Sequence, residues 1–189
     1  MLFQYAQLGS DAIRLIRFHT RTKTNDVHVT LEHQARYWEP GVRYSVLSYQ
    51  PAGQDVDRTG ITLNGRTRMI DSNAWSALAD AAKTSKENDR YWLNALCINQ
   101  QDKAEAMEQH RQLRQIYAGA EKVVLRLHSS SHDQALGDLA NQAQAYIDQA
   151  TDREALLQAK KLVVALDEQQ SELDANDLKD VSRAIRESL

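Results

Sequence analysis

The chain has a single cysteine, Cys97, among 189 residues, so no disulfide can close within it. A reducing, cytoplasmic setting is therefore expected. It also lacks a dominant sign of charge. The 23 Lys+Arg and 26 Asp+Glu leave a formal net charge of -3, which gives no global attraction to nucleic acid or to an anionic membrane surface. No apolar run approaches the roughly 20 residues of a membrane-spanning helix, so no membrane span is expected. The first residues, MLFQYAQLGSDAIRLIRF, have neither the basic start nor the small-residue cleavage site of a secretory signal. Gly-x-Gly-x-x-Gly, P-loop and Gly-x-Ser-x-Gly patterns are all absent, which removes the two common nucleotide fingerprints and the nucleophile elbow. The histidines are scattered, and only His128 and His132 share a helical spacing. A serine run lies between them and no second thiol is near, so no metal site is expected.

What is present is ordinary soluble-domain material, 42% hydrophobic and 26% charged, in a length suited to one domain with a substantial core. AIRLIRF (Ala12 to Phe18) alternates weakly. DVHVTLEH (Asp26 to His33) alternates cleanly, with Val27, Val29 and Leu31 on one face, as a half-buried strand does. RYSVLSY (Arg43 to Tyr49) is more continuously apolar and predicts a buried central strand, stopped by Pro51. In ITLNGRTRMI the pair Asn64-Gly65 predicts a tight hairpin, because a type I′ turn needs positive φ at both central residues. Asp71 or Ser72 can cap a helix from about Asn73 to Lys86, with Trp75, Leu78, Ala79 and Ala82 at helical spacing. RYWLNALCI (Arg90 to Ile98) reads as a second buried strand. A helix from about Asp102 to Tyr117 follows, then a strand, KVVLRL (Lys122 to Leu127). Beyond Leu127 the chain turns rich in Ala, Leu, Gln and charged residues. Helices are expected from about Asp133 to Ile147, Asp152 to Leu166 and Asp174 to Glu187. The whole reads as an α/β core over residues 1–128 with mostly parallel central strands and an added N-terminal antiparallel part. A helical C-terminal extension over 129–189 packs on that core.

In parallel sheets, ligands sit at the carboxyl ends of strands. Two places qualify: Ser48-Tyr49-Gln50-Pro51, and Cys97-Ile98-Asn99-Gln100. Tyr49 can stack on an aromatic ring or roof the core. Ser48 points to the opposite side of the sheet. Asn99 and Gln100 can satisfy backbone groups at a strand end, or bind the amide or ribose of a ligand. Asn94 reads as a mid-strand amide that needs a partner if buried. Arg14 can serve such a group or a phosphate, or lie on a strand surface. Asp102-Lys103-Ala104-Glu105 has the spacing of a capping box, in which Glu105 reaches back to the amide of Asp102. Gln109 lies one turn on, on the same helix face, where it can steady that carboxylate or share its ligand. Cys97 has no basic neighbour in sequence to activate it and reads as a small buried wall residue.

YSVLSY, ITLNG, WLNALCINQQD, Ala104-Glu105, Gln109 and IYAGAEKVVL follow one another in the order and spacing of the HET (heterokaryon incompatibility) domain of fungal proteins. The resemblance covers about Tyr5 to Leu127. The resemblance implies a fold related to the TIR domain, a flavodoxin-like sheet. It also implies an innate-immunity-like role in programmed cell death when unlike hyphae fuse. Many TIR domains cleave the nicotinamide–ribose bond of NAD+ with one glutamate, and Glu105 is the matching residue. The implied activity is that of a NAD+ glycohydrolase, with NAD+ as substrate rather than bound cofactor and self-association as the working state. The chain departs from the family pattern at Pro51-Ala52 (usually Trp-Gly), Asn94 (usually Asp), Ala106 (usually Arg) and Arg126-Leu127-His128. These departures motivate an alternative, a non-catalytic self-association or signalling module.

Overall fold

The computed structural model describes residues 3–19, 26–35, 37–49, 57–127 and 161–166, together with Ala145 and Ala155. Among these residues eight strands form one sheet in the order β5-β4-β2-β1-β6-β3-β7-β8. β1 (Ala12–Phe18) and β2 (His28–Ala35) pair antiparallel, as their short connection requires. In β2 and just before it, the alternation holds: Val27, Val29 and Leu31 are buried, while His28 and Thr30 are half-exposed. β4 (Arg58–Leu63) and β5 (Arg66–Asp71) form the expected hairpin, with φ of 48° at Asn64 and 74° at Gly65. The Asn64 side chain then accepts from the Leu31 amide at 2.9 Å, which ties the hairpin tip to β2.

β3 (Ser45–Tyr49), β6 (Tyr91–Trp92), β7 (Lys122–Leu127) and β8 (Leu162–Leu166) run parallel to one another. β1 runs against both of its neighbours, β2 and β6. The sheet is therefore mixed. The expected flavodoxin-like arrangement with mostly parallel central strands is not the one these pairings draw, because an antiparallel strand occupies the middle of the sheet. Both faces of β1 are covered, Ile13 and Leu15 on one and Arg14 and Ile16 on the other, which is why its alternation was weak.

Two further expectations are corrected. The apolar run Arg90 to Ile98 is not one strand. Pairing ends at Trp92, and Asn94–Cys97 form a short helix, α2. A continuous apolar run does not distinguish a buried strand from a buried helical turn, and here Leu93, Leu96, Cys97 and Ile98 are all fully buried. The last five residues of the helix expected over 152–166, LVVAL, form β8 instead, a strand paired to β7. Ala145 and Ala155 are helical, and Ala155 is buried in the main core. Gln50, Pro51, Ala52, His128, His132 and the helix expected over 174–187 lie outside the described residues.

α1 (Ser72–Thr84) and α3 (Lys103–Gly119) begin on aspartate caps. Asp71 Oδ1 accepts from the amides of Asn73 and Ala74, and Asp102 Oδ1 from those of Ala104 and Glu105. α3 buries Ile116 and Tyr117, and the Tyr117 ring meets that of Trp92 edge-on at 6.1 Å.

Candidate functional site

Because β6 stops at Trp92, the chain turns over β1 as α2, and the last carbonyls of that short helix need donors. Two side chains from the N-terminal part supply them. The Tyr5 hydroxyl donates to Leu96 O at 3.0 Å, and Arg14 Nη1 donates to Cys97 O at 3.0 Å. Arg14, 1% exposed, also forks onto Glu105: Nη1 to Oε1 at 2.6 Å and Nη2 to Oε2 at 2.9 Å. Its Nη2 donates further to Ala6 O at 2.7 Å. The Asn99 amide donates to Glu105 Oε1 at 2.7 Å.

Glu105 therefore completes only half of the capping box. Its own amide is held by Asp102, but its carboxylate passes over the Asp102 amide, which donates to Asn99 O at 3.1 Å instead. The carboxylate instead ties the first turn of α3 to β1 and to the 98–102 loop. Burial alone would raise its pKa, but the Arg14 fork and the Asn99 amide outweigh burial and hold the carboxyl below the ordinary glutamate value. It stays ionised at neutral pH, with a side chain 11% exposed.

The Tyr5 ring lies beside this pair, with the Arg14 guanidinium 4.6 Å and the Arg68 guanidinium 5.7 Å from its centroid. Burial raises the Tyr5 phenol pKa, and the two cations oppose the rise. Arg68 is on β5 and Arg14 on β1, three places apart in the sheet order, so the sheet curls to bring them to one ring. The same curl lets the Tyr49 hydroxyl at the end of β3 donate to Asp71 Oδ2, at the junction of β5 and α1, at 3.2 Å.

The other residues singled out in the sequence fall around this centre. Asn99 closes its own turn, its Oδ1 accepting from the Gln101 amide at 3.2 Å. Asn94 is not mid-strand but the first residue of α2, half-exposed, and accepts from Gln100 Nε2 at 2.7 Å. Gln109 is buried, and rather than meeting Glu105 it donates to Ala12 O at 3.0 Å, clamping α3 to the start of β1. Ser48 is buried on the face of β3 opposite to Tyr49. Cys97 is fully buried, and burial pushes its thiol up to about 12, so it is a wall and not a nucleophile. The structure thus brings Arg14, Glu105 and Asn99 together, sets Tyr49 on the adjacent parallel strand, and adds Tyr5 and Arg68. No short-range pattern marks those last two residues, since only the curl of the sheet makes them neighbours. Among the described residues no cluster of His, Cys, Asp and Glu could hold a metal, and no helix is long and apolar enough to cross a membrane.

A family model described as Heterokaryon incompatibility protein (HET) matches residues 44–185. Comparison with curated proteins and with solved structures found no match. The matched stretch contains Tyr49, Arg68, the 98–102 loop and Glu105, and it runs past β8. Tyr5 and Arg14 precede it.

Proposed function

The chain belongs to the heterokaryon incompatibility (HET) family, which ties it to a heterokaryon-incompatibility-type function, and we propose that it is a cell-death effector with a TIR-like nucleotide site around Glu105. The substrate in this reading is NAD+ or a related nucleotide. The observation that supports it most is a carboxylate, ionised at neutral pH, at the start of α3 and bonded to the loop that follows the carboxyl end of β6, the parallel neighbour of β3. Loss of nicotinamide from NAD+ leaves an oxocarbenium-like ribose, which an anion stabilises, and nicotinamide departs neutral without a general acid. Tyr49 offers a ring face, and Asn99 and Gln100 offer amides, to such a ligand. For the carboxylate to act on the ribose, one of its hydrogen bonds to Arg14 or Asn99 must be exchanged for substrate. Nicotinamide release from NAD+ by the purified chain tests the reading. Release that persists undiminished in Glu105→Gln removes this residue from the chemistry.

A specific observation favours a second reading. Both oxygens of Glu105 are already satisfied and its charge is matched by Arg14, as in a purely architectural tie. On that reading the domain signals by assembling with itself or with a partner and performs no chemistry. Absence of NAD+ binding at millimolar ligand, together with light scattering that grows with protein concentration, favours assembly.

A further inference from the structure

Four buried or half-buried arginines among the described residues find carboxylates. Arg14 has Glu105, Arg126 has Asp80, and Arg17 and Arg90 share Glu32. Arg68 differs. It is half-buried, its Nε, like those of Arg14 and Arg126, is buried without a hydrogen-bond partner, and among the described residues its guanidinium has no carboxylate but lies over the face of Tyr5. Taking a guanidinium partly out of water without a counter-charge is costly, and an aromatic face returns only about 0.5–2 kcal/mol of that cost. The ring it leans on is fixed, because the Tyr5 hydroxyl is engaged by Leu96 O. The neighbouring cation, Arg14, is already neutralised by its fork onto Glu105 and cannot serve a second anion without breaking it.

We infer that Arg68 is the anion-recognising residue of the site, receiving a phosphate group of the ligand while the Tyr5 ring holds its guanidinium in place. The identity of the ligand as a nucleotide rests on the reading above, but the anion subsite does not. A planar fork suits two phosphate oxygens at once, which a lysine ammonium does not. Division of labour follows: Arg14 keeps the carboxylate in position, and Arg68 takes the charge of the incoming molecule.

The test is calorimetric titration of the wild-type chain, Arg68→Gln and Arg68→Lys with sodium pyrophosphate and, separately, with NAD+ at low salt. The expected result is pyrophosphate binding by wild type that weakens about tenfold or more in Arg68→Gln, the loss of a charge-assisted hydrogen bond, at unchanged circular dichroism. Arg68→Lys falls between, and it carries the test if Arg68→Gln does not fold. Equal pyrophosphate affinity in wild type and variants, or none in wild type, overturns the inference. The two proposals separate cleanly. Arg68-dependent pyrophosphate binding without NAD+ binding keeps the anion subsite and sinks the nucleotide reading. NAD+ binding indifferent to Arg68 does the reverse.

Discussion

Arg14 and Glu105 form the pair on which the surrounding residues depend. A buried fork is stable only while both partners are present, and removing one strands the other. Glu105→Gln should therefore cost about 3–5 kcal/mol in chemical denaturation, far more than an exposed glutamate at a helix start. The pH dependence has a definite sign. The folded carboxyl titrates below the ordinary glutamate value, so its contribution is fully present above that value. It fades as pH falls through the lower, folded-state value. Wild type should lose stability on acidification below about pH 4, more steeply than Glu105→Gln. A flat difference between the two proteins across that range would contradict the ion pair. Cys97 gives a second residue-scale expectation. With the thiol buried and its pKa pushed up to about 12, native protein should resist alkylation at neutral pH and react only on unfolding. Rapid labelling of folded protein would show that the wall opens.

Elements were legible wherever a local rule decided them. Asn64-Gly65 set the β4–β5 turn, the two aspartate caps set the starts of α1 and α3, and the alternation around Val29 set β2. β1 and β7 also keep their expected bounds. Elements decided by tertiary context were not legible. The run from Arg90 to Ile98 is apolar throughout, and only the arrival of Tyr5 and Arg14 as donors for Leu96 O and Cys97 O makes a helical turn affordable there. β8 was hidden because Val163 and Val164 follow a helix-rich composition. Of the site, Glu105, Arg14 and Asn99 were legible as candidates, but their bonding to one another was not, since Arg14 and Glu105 are 91 residues apart. Close packing at the end of α3 gives an element-scale test. A Cβ placed on Gly119 would lie 2.7 Å from the Tyr44 hydroxyl, which is fixed by donating to Ile116 O at 2.6 Å. Gly119→Ala should then destabilise by about 1–3 kcal/mol in spite of alanine's better helix propensity. A neutral or stabilised variant would mean that the α3–Tyr44 contact is loose.

For the molecule as a whole, the mixed sheet does two things. Its parallel block, β6-β3-β7-β8, supplies the strand ends on which the nucleotide reading depends, and the family match spans that block and continues past it. Its other part, β1, β2 and the β4–β5 hairpin, in which β2 pairs parallel with β4 and the other pairs are antiparallel, curls so that Arg68 and Asp71 come back to Tyr5 and Tyr49. Neither part alone makes the site. The measurement that tests this most directly is titration of the intact, folded chain with NAD+. The account predicts saturable binding that is lost when Arg14 or Glu105 is replaced in variants still folded by circular dichroism. No heat at millimolar NAD+ from a chain that is folded and self-associating would contradict it and leave the Arg14–Glu105 fork as a structural tie.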